Sequence, residues 1–284
     1  MKKILTFILG MMVVASCDLM PKSSSENSNC NLSELEEMDF ETEELNYSFE
    51  EGKIEVSIKV DYPTDGNPLL VNAVREFISE ELGGTYADNL EEGQQLVDFY
   101  GDILQKQLQK SYQEDVEAND GNEENINGFY RHYAINKNYE SDHFITYIVE
   151  SGIYLNGAHG TESHYGLTFR KSDGRRLCNE MMRNLYTEDF YAIIKKGLME
   201  YFSEGSNERV NSDEELKSFI ITDDDVNYLP LPRHTPYITK EGFVFTYQPY
   251  EISFYAAGMP QFTIRADKMK PFLTQTALNM LDLD

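Results

Sequence analysis

Apolar and polar residues alternate most cleanly in K-I-E-V-S-I-K-V-D. There Ile54, Val56, Ile58 and Val60 interleave with Glu55, Ser57, Lys59 and Asp61. A period of two predicts a strand with one buried and one wet face. Y-P-T-D-G-N-P breaks it, and the period then becomes helical. Leu70, Val74, Phe77, Ile78 and Leu82 predict a helix stopped by Gly83-Gly84. Leu96, Phe99, Tyr100, Ile103, Leu104 and Leu108 predict a longer one that runs out near Asn119-Asp120-Gly121. Phe129 to Ile135 and His143 to Leu155 return to strand character, with N-K-N-Y-E-S-D between them as a hairpin loop. Both faces of F-I-T-Y-I-V are apolar, which predicts a place inside a sheet.

The second half of the chain continues in the same mixed style. Ser163 to Arg170 reads as a strand and Ser172-Asp173-Gly174 as a turn. Thr187 is the expected N-cap of a helix from about Glu188 to Phe202, and Ser212 with Glu215 forms a capping box for a short helix reaching about Phe219. L-P-L-P-R-H-T-P is extended, because proline removes backbone donors. Glu241 to Gln248 and Pro260 to Arg265 are strands, followed by a terminal helix from about Asp267. Strand runs interrupted by helices, without regular βα alternation, argue for an α+β fold. The expectation is two packed lobes, residues 45–153 and 154–284, with mixed or antiparallel sheets and helices on one face.

Ahead of these lies M-K-K-I-L-T-F-I-L-G-M-M-V-V-A-S-C. Two lysines precede an apolar stretch too short for a stable span, the form of an export leader over residues 1–16. Val14-Ala15-Ser16-Cys17 has the form of a lipobox, so Cys17 is the expected lipidation site and the mature protein an exported lipoprotein of the cell envelope, on the outer-membrane or periplasmic side. Residues 17–44 are polar and acidic and read as a flexible tether, with folded structure beginning near Tyr47. Cys30 and Cys178 remain, in a compartment where a bridge between them is chemically allowed. No cysteine or histidine spacing matches a zinc site, and neither metal nor cofactor is expected.

Charge narrows the partners. Lysine and arginine number 24 against 50 acidic residues, for a net charge of −26. Such a chain repels nucleic acid and anionic lipid head groups and attracts cationic partners. His-Glu-x-x-His, Gly-x-Ser-x-Gly and phosphate-cradling loops are all missing from the sequence, so no catalytic residue is assigned. Asp223-Asp224-Asp225 and Asp120 to Gly128 fall short of a calcium loop and read as solvated loops.

Y-L-N-G-A-H-G, Tyr154 to Gly160, sets a histidine between glycines after a strand. It is followed by D-G-R-R-L and later by G-F-V-F-T-Y-Q-P-Y-E-I-S-F-Y-A-A-G, Gly242 to Gly258. In that order these segments resemble the domain of unknown function 3298 family over about Tyr154 to Leu273. Asn156 stands where the family has its first glycine, a mild departure because asparagine tolerates positive φ. The family includes the extracellular part of a lysozyme-sensing anti-sigma factor and non-catalytic domains of peptidoglycan deacetylases. The resemblance implies an extracytoplasmic α+β domain and no reaction.

In the residues themselves, Gly157 and Gly160 are expected to supply unusual backbone angles while His159 braces the corner through a carbonyl. Tyr250 is expected to pack beneath it. His159, Asn156, Tyr250 and Glu251 are the candidate ligand contacts. The reading is a non-catalytic binding module, attached to the membrane through its lipid, for a cationic protein such as lysozyme or for a cell-wall glycan. A glycan-acting hydrolase using Glu162 or Glu251 near His159 is the alternative.

Overall fold

The computed structural model describes residues 38–205, 209–221 and 226–283. The leader, Cys17, Cys30 and the Asp223-Asp224-Asp225 run lie outside the described residues. The architecture is α+β: a five-stranded mixed sheet, a three-stranded antiparallel sheet, and helices packed on each.

The first sheet has the order β1 (Glu41–Glu51), β2 (Ile54–Asp65), β3 (Phe129–Glu140), β4 (Phe144–Leu155), β5 (Thr161–Arg170). Every pairing is antiparallel except β2 with β3, which run parallel. A parallel pair needs a long crossover, and α1 (Pro68–Leu82) with α2 (Gly93–Ala118) supplies it. Their apolar stripes, Leu70, Val74, Phe77 and Ile78 on α1 and Leu96, Val97, Tyr100 and Leu104 on α2, bury one face of the sheet. Ile54, Val56, Ile58 and Val60 meet them from β2, all buried as their alternation predicts.

Three boundaries differ from the sequence reading. β1 starts at Glu41, inside the range expected for the tether, because Leu45, Tyr47 and Phe49 alternate toward α2 and Phe40 is already buried. The hairpin between β3 and β4 is shorter than expected, since β3 extends through N-K-N-Y-E to Glu140 and β4 opens at Phe144. Residue 154, expected to open the second lobe, lies inside β4, and β5 completes the first sheet.

α1 is tied to the far end of that sheet. The Asn67 side chain accepts from Leu69 N at 3.0 Å while donating to the carbonyls of Lys171 (2.7 Å) and Ser172 (2.8 Å). Pro68 at the first helical position costs nothing there, where its missing N–H would have no helical partner.

The second sheet consists of β6 (Tyr237–Thr239), β7 (Gly242–Thr246) and β8 (Gln261–Ile264). α3 (Glu188–Gly205) lays Phe190, Ile194 and Leu198 on it, and Gly197 lets the helix close on the Phe262 ring. Thr187 bonds back to the Asn184 carbonyl at 2.7 Å. The Ser212–Glu215 capping box opens α4 (Asp213–Lys217) as expected. The terminal helix is broken into α5 (Ala266–Met269) and α6 (Gln275–Met280), with Pro271 in the 3-10 turn between them.

The two sheets meet at a hydroxyl pair. Thr146 and Thr168 are buried and bonded to each other at 2.8 Å, and Ile238 N donates to Thr168 Oγ1 at 3.0 Å. β4 is thus covered on both faces at this end, as its apolar run predicts. Toward its other end, the face turned away from the helices is open.

Candidate functional site

The open face carries the chemistry. Phe129 and Ile135 point into the core, so Tyr130, His132 and Ala134 point outward from β3. Register sets Tyr130 opposite Tyr154, and His132 opposite Gly152, which faces Glu162 on β5. The next rung holds Ala134, Glu150 and His164.

Gly152 decides what these residues can do. A Cβ there would overlap the His132 ring and the Glu162 carboxylate. Without one, His132 Nε2 spans β4 and lies 3.1 Å from Glu162 Oε2. Tyr130 donates to the other oxygen, Oε1, at 2.9 Å. Burial, then the hydrogen bond to the Glu162 carboxylate, pushes the Tyr130 phenol up to about 12. Its ring stacks on His132 (centroids 5.8 Å apart, planes at 19°) and on Tyr154 (5.7 Å, 30°). Two phenols, an imidazole and a carboxylate therefore form one half-buried platform.

The polar face continues to the seam with the second sheet. His164 Nδ1 is 3.2 Å from Glu150 Oε1, and its Nε2 is 3.3 Å from the Tyr237 hydroxyl. Gln248 clasps the His164 backbone, accepting from its N–H at 3.1 Å and donating to its carbonyl at 2.9 Å. Gln261 Nε2 donates to Tyr237 Oη at 3.0 Å. A shallow groove of about 550 Å3 runs here, with Asn138, Ile148, His164, Tyr237 and Gln261 in its walls.

At the opposite end stands the corner between β4 and β5. The left-handed residue in it is Asn156 (φ 54°); neither Gly157 nor Gly160 takes a positive φ, contrary to the expectation. Gly160 is required for space instead, since a Cβ would press on the Tyr130 hydroxyl. Asn156 Oδ1 accepts from Asn127 N at 2.8 Å and its Nδ2 donates to Asp115 Oδ2 at 2.9 Å, pinning the corner to the end of α2.

His159 uses both ring nitrogens. Nδ1 lies 2.8 Å from the Gly160 carbonyl, which can only accept, so this nitrogen carries the proton. Nε2 then accepts from the Tyr250 hydroxyl at 3.3 Å. The ring stacks on Tyr255 at 4.0 Å, and the Tyr255 hydroxyl donates to the same Gly160 carbonyl at 2.9 Å. Tyr250 sits beside the histidine at the surface, 55% exposed and itself at positive φ (63°), not beneath the corner.

Of the four candidate contacts, the structure brings His159 and Tyr250 together. Asn156 shares the corner but is spent on holding it. Glu251 turns away: its carboxylate accepts from Gln248 N at 2.7 Å and from Arg233 N, capping the backbone of two loops. Cys178 precedes a 3-10 turn and is half-buried, with its thiol pushed up by burial, then by Glu180; Cys30 lies outside the described residues. Tyr130, His132, Glu150 and His164 escape the sequence reading. Tyr130-x-His132 on β3 and Glu162-x-His164 on β5 carry the signal, the period that puts alternate residues on one face; Glu150 on β4 has none. No cluster of three or more potential metal ligands occurs among the described residues.

A separate cleft of about 370 Å3 lies beside α3, with Asn179, Phe190, Tyr191, Tyr228, Pro230 and His234 among its walls. Tyr186 stands at it 81% exposed.

Comparison with known proteins agrees with this architecture. Residues 179–267 match the family described as "Protein of unknown function (DUF3298)". That segment contains the Gly242–Gly258 signature and starts later than the expected Tyr154, leaving the His159 corner outside it. A crystal structure of a DUF3298 family member from Bacteroides fragilis NCTC 9343 superposes with a TM-score of 0.64 at 19% identity, covering 87% of this chain and 98% of the other. A DUF3298 family protein from Pseudomonas aeruginosa PAO1 gives a TM-score of 0.54 at 13% identity, covering 84% and 95%. No functionally curated protein matches the chain. Residues 179–267 are thus a DUF3298 domain, within a chain that shares the fold of these DUF3298 structures.

Proposed function

We propose that the chain is a non-catalytic binding module of the cell envelope, lipid-anchored at Cys17, and that its open sheet face takes a cell-wall glycan. The observation that carries this reading is the Tyr154–Tyr130–His132 stack set against Glu162. A sugar presents an apolar ring face and a rim of hydroxyls. Aromatic rings with polar tips match the first, and fixed carboxylates and amides match the second. Glu150, Gln261 and Asn138 extend the polar row along the groove. The lipobox and the acidic spacer support the placement.

Calorimetric titration with a soluble oligomer of β-1,4-linked N-acetylglucosamine tests it. Saturable binding is expected, and Tyr130→Leu or Tyr154→Leu is expected to weaken it about tenfold, the effect of roughly 1.4 kcal/mol. No heat of binding at any accessible concentration ends the reading.

The hydrolase alternative rests on Glu162, flanked by a phenol and an imidazole. Both its oxygens are already engaged, which places this second. Release of reducing ends from the same oligomer, abolished by Glu162→Gln, would put it first.

A further inference from the structure

β1 forms the end of the first sheet, with β2 as its neighbour among the described residues, so its other side is an open edge. Edge strands normally deter pairing by being short, by charged side chains (lysine above all) that repel a like-charged strand, or by proline or bulges. β1 runs for eleven residues, E-T-E-E-L-N-Y-S-F-E-E, with neither lysine nor proline. Its one irregularity lies at the very start, between Glu41 and Thr42.

What it has is negative charge. Glu41, Glu43, Glu44, Glu50 and Glu51 lie along it. α2 adds Asp98 and Asp102 beside it: Gln94 Nε2 donates to Asp98 Oδ1 (2.8 Å) and to the Asn46 carbonyl (3.1 Å), and the Tyr47 hydroxyl donates to Asp102 at 3.3 Å. The nearby cation Lys59 is 2.6 Å from Glu44, and this pairing holds the Glu44 carboxyl below its ordinary range. Among the described residues this is the one ion pair that the five glutamates of β1 make.

We propose that the β1 edge binds an extended, lysine- or arginine-rich segment of a partner protein by strand addition. Main-chain hydrogen bonds to the open edge would give affinity, and cationic side chains opposite the glutamates would give selectivity. A second copy of this chain fits the same edge poorly, because β1 against β1 sets carboxylates opposite carboxylates. The proposal is independent of the glycan reading, which concerns β3 to β5.

The test uses the full chain and a short peptide alternating lysine with valine, followed by amide hydrogen exchange at low and moderate salt. The expected result is saturable binding with roughly tenfold slower exchange of β1 amides, because pairing protects backbone N–H groups. The same peptide N-methylated at alternate backbone nitrogens keeps its charge, cannot pair, and is expected not to bind. Glu43→Lys with Glu50→Lys is expected to abolish binding. Equal binding of the methylated peptide, or binding without protection of β1, would show diffuse charge attraction only and overturn the proposal. So would β1 protection in the free protein accompanied by dimerisation.

Discussion

His132 and Glu162 sit on strands that are not neighbours, yet His132 Nε2 and Glu162 Oε2 are 3.1 Å apart. They meet over Gly152 on the strand between them, whose missing side chain opens the path. Gly152→Val should therefore displace both side chains while the main chain stays. Both groups are side-chain ends able to swing aside, so the stability cost is expected to stay under about 1.5 kcal/mol. Binding of the N-acetylglucosamine oligomer is expected to fall much further, about tenfold or more. Urea denaturation and calorimetry on the same variant separate the two effects.

Gly197 is the opposite case. A Cβ on this residue of α3 would overlap the Phe262 ring, which is itself packed on Phe245 in the second sheet's core. A ring held on both sides has no room to retreat. Gly197→Ala is expected to cost about 1–3 kcal/mol by urea denaturation, despite alanine's better helix propensity.

Asn156 joins a left-handed backbone to two side-chain hydrogen bonds. Asn156→Gly loses the bonds and keeps the angle; Asn156→Ala loses the bonds and pays about 1 kcal/mol more for the angle. Denaturation midpoints should rank wild type above glycine above alanine.

His234 stacks on Tyr165 with centroids 3.9 Å apart, and the Tyr165 hydroxyl in turn bonds to the Glu81 carboxylate. Burial is the main cause that lowers the His234 pKa from 6.5; the Glu251 charge opposes it and Arg233 reinforces it. The unfolded imidazole therefore takes up a proton at a higher pH than the folded one. Stability from this group is present above pH 6.5 and is lost as pH falls through the folded value. Melting temperatures between about pH 7.5 and pH 5.5 should fall less steeply in His234→Gln than in wild type.

Ser253 is buried, and among the described residues its hydroxyl has no hydrogen-bond partner. Removing an unsatisfied polar group is expected to help: Ser253→Ala should gain about 1 kcal/mol.

These residues also show what a sequence reveals and conceals. The α+β class, the two long crossover helices and the doubly covered β4 follow from periodicity, because burial imposes that spacing directly. β1 is hidden although Leu45, Tyr47 and Phe49 alternate, since five glutamates give it the composition of a spacer. The terminal helix reads as continuous because its apolar residues keep pace across Pro271. At the His159 corner the histidine's bond to a nearby carbonyl follows from chemistry, but the left-handed angle falls on Asn156, whose partners Asn127 and Asp115 are distant in sequence. The platform is concealed for a different reason. Tyr130, His132 and Glu162 lie on separate strands, and only tertiary register brings them to one rung.

The central claim is that the open face of β3, β4 and β5 is a glycan-binding surface. Backbone NMR during titration with the N-acetylglucosamine oligomer tests it most directly. The account expects shift changes concentrated at Tyr130, His132, Gly152, Tyr154, Glu162 and His164, saturating together. Changes confined to the cleft at Tyr186, Tyr191 and Tyr228, or no saturable change at all, would contradict it.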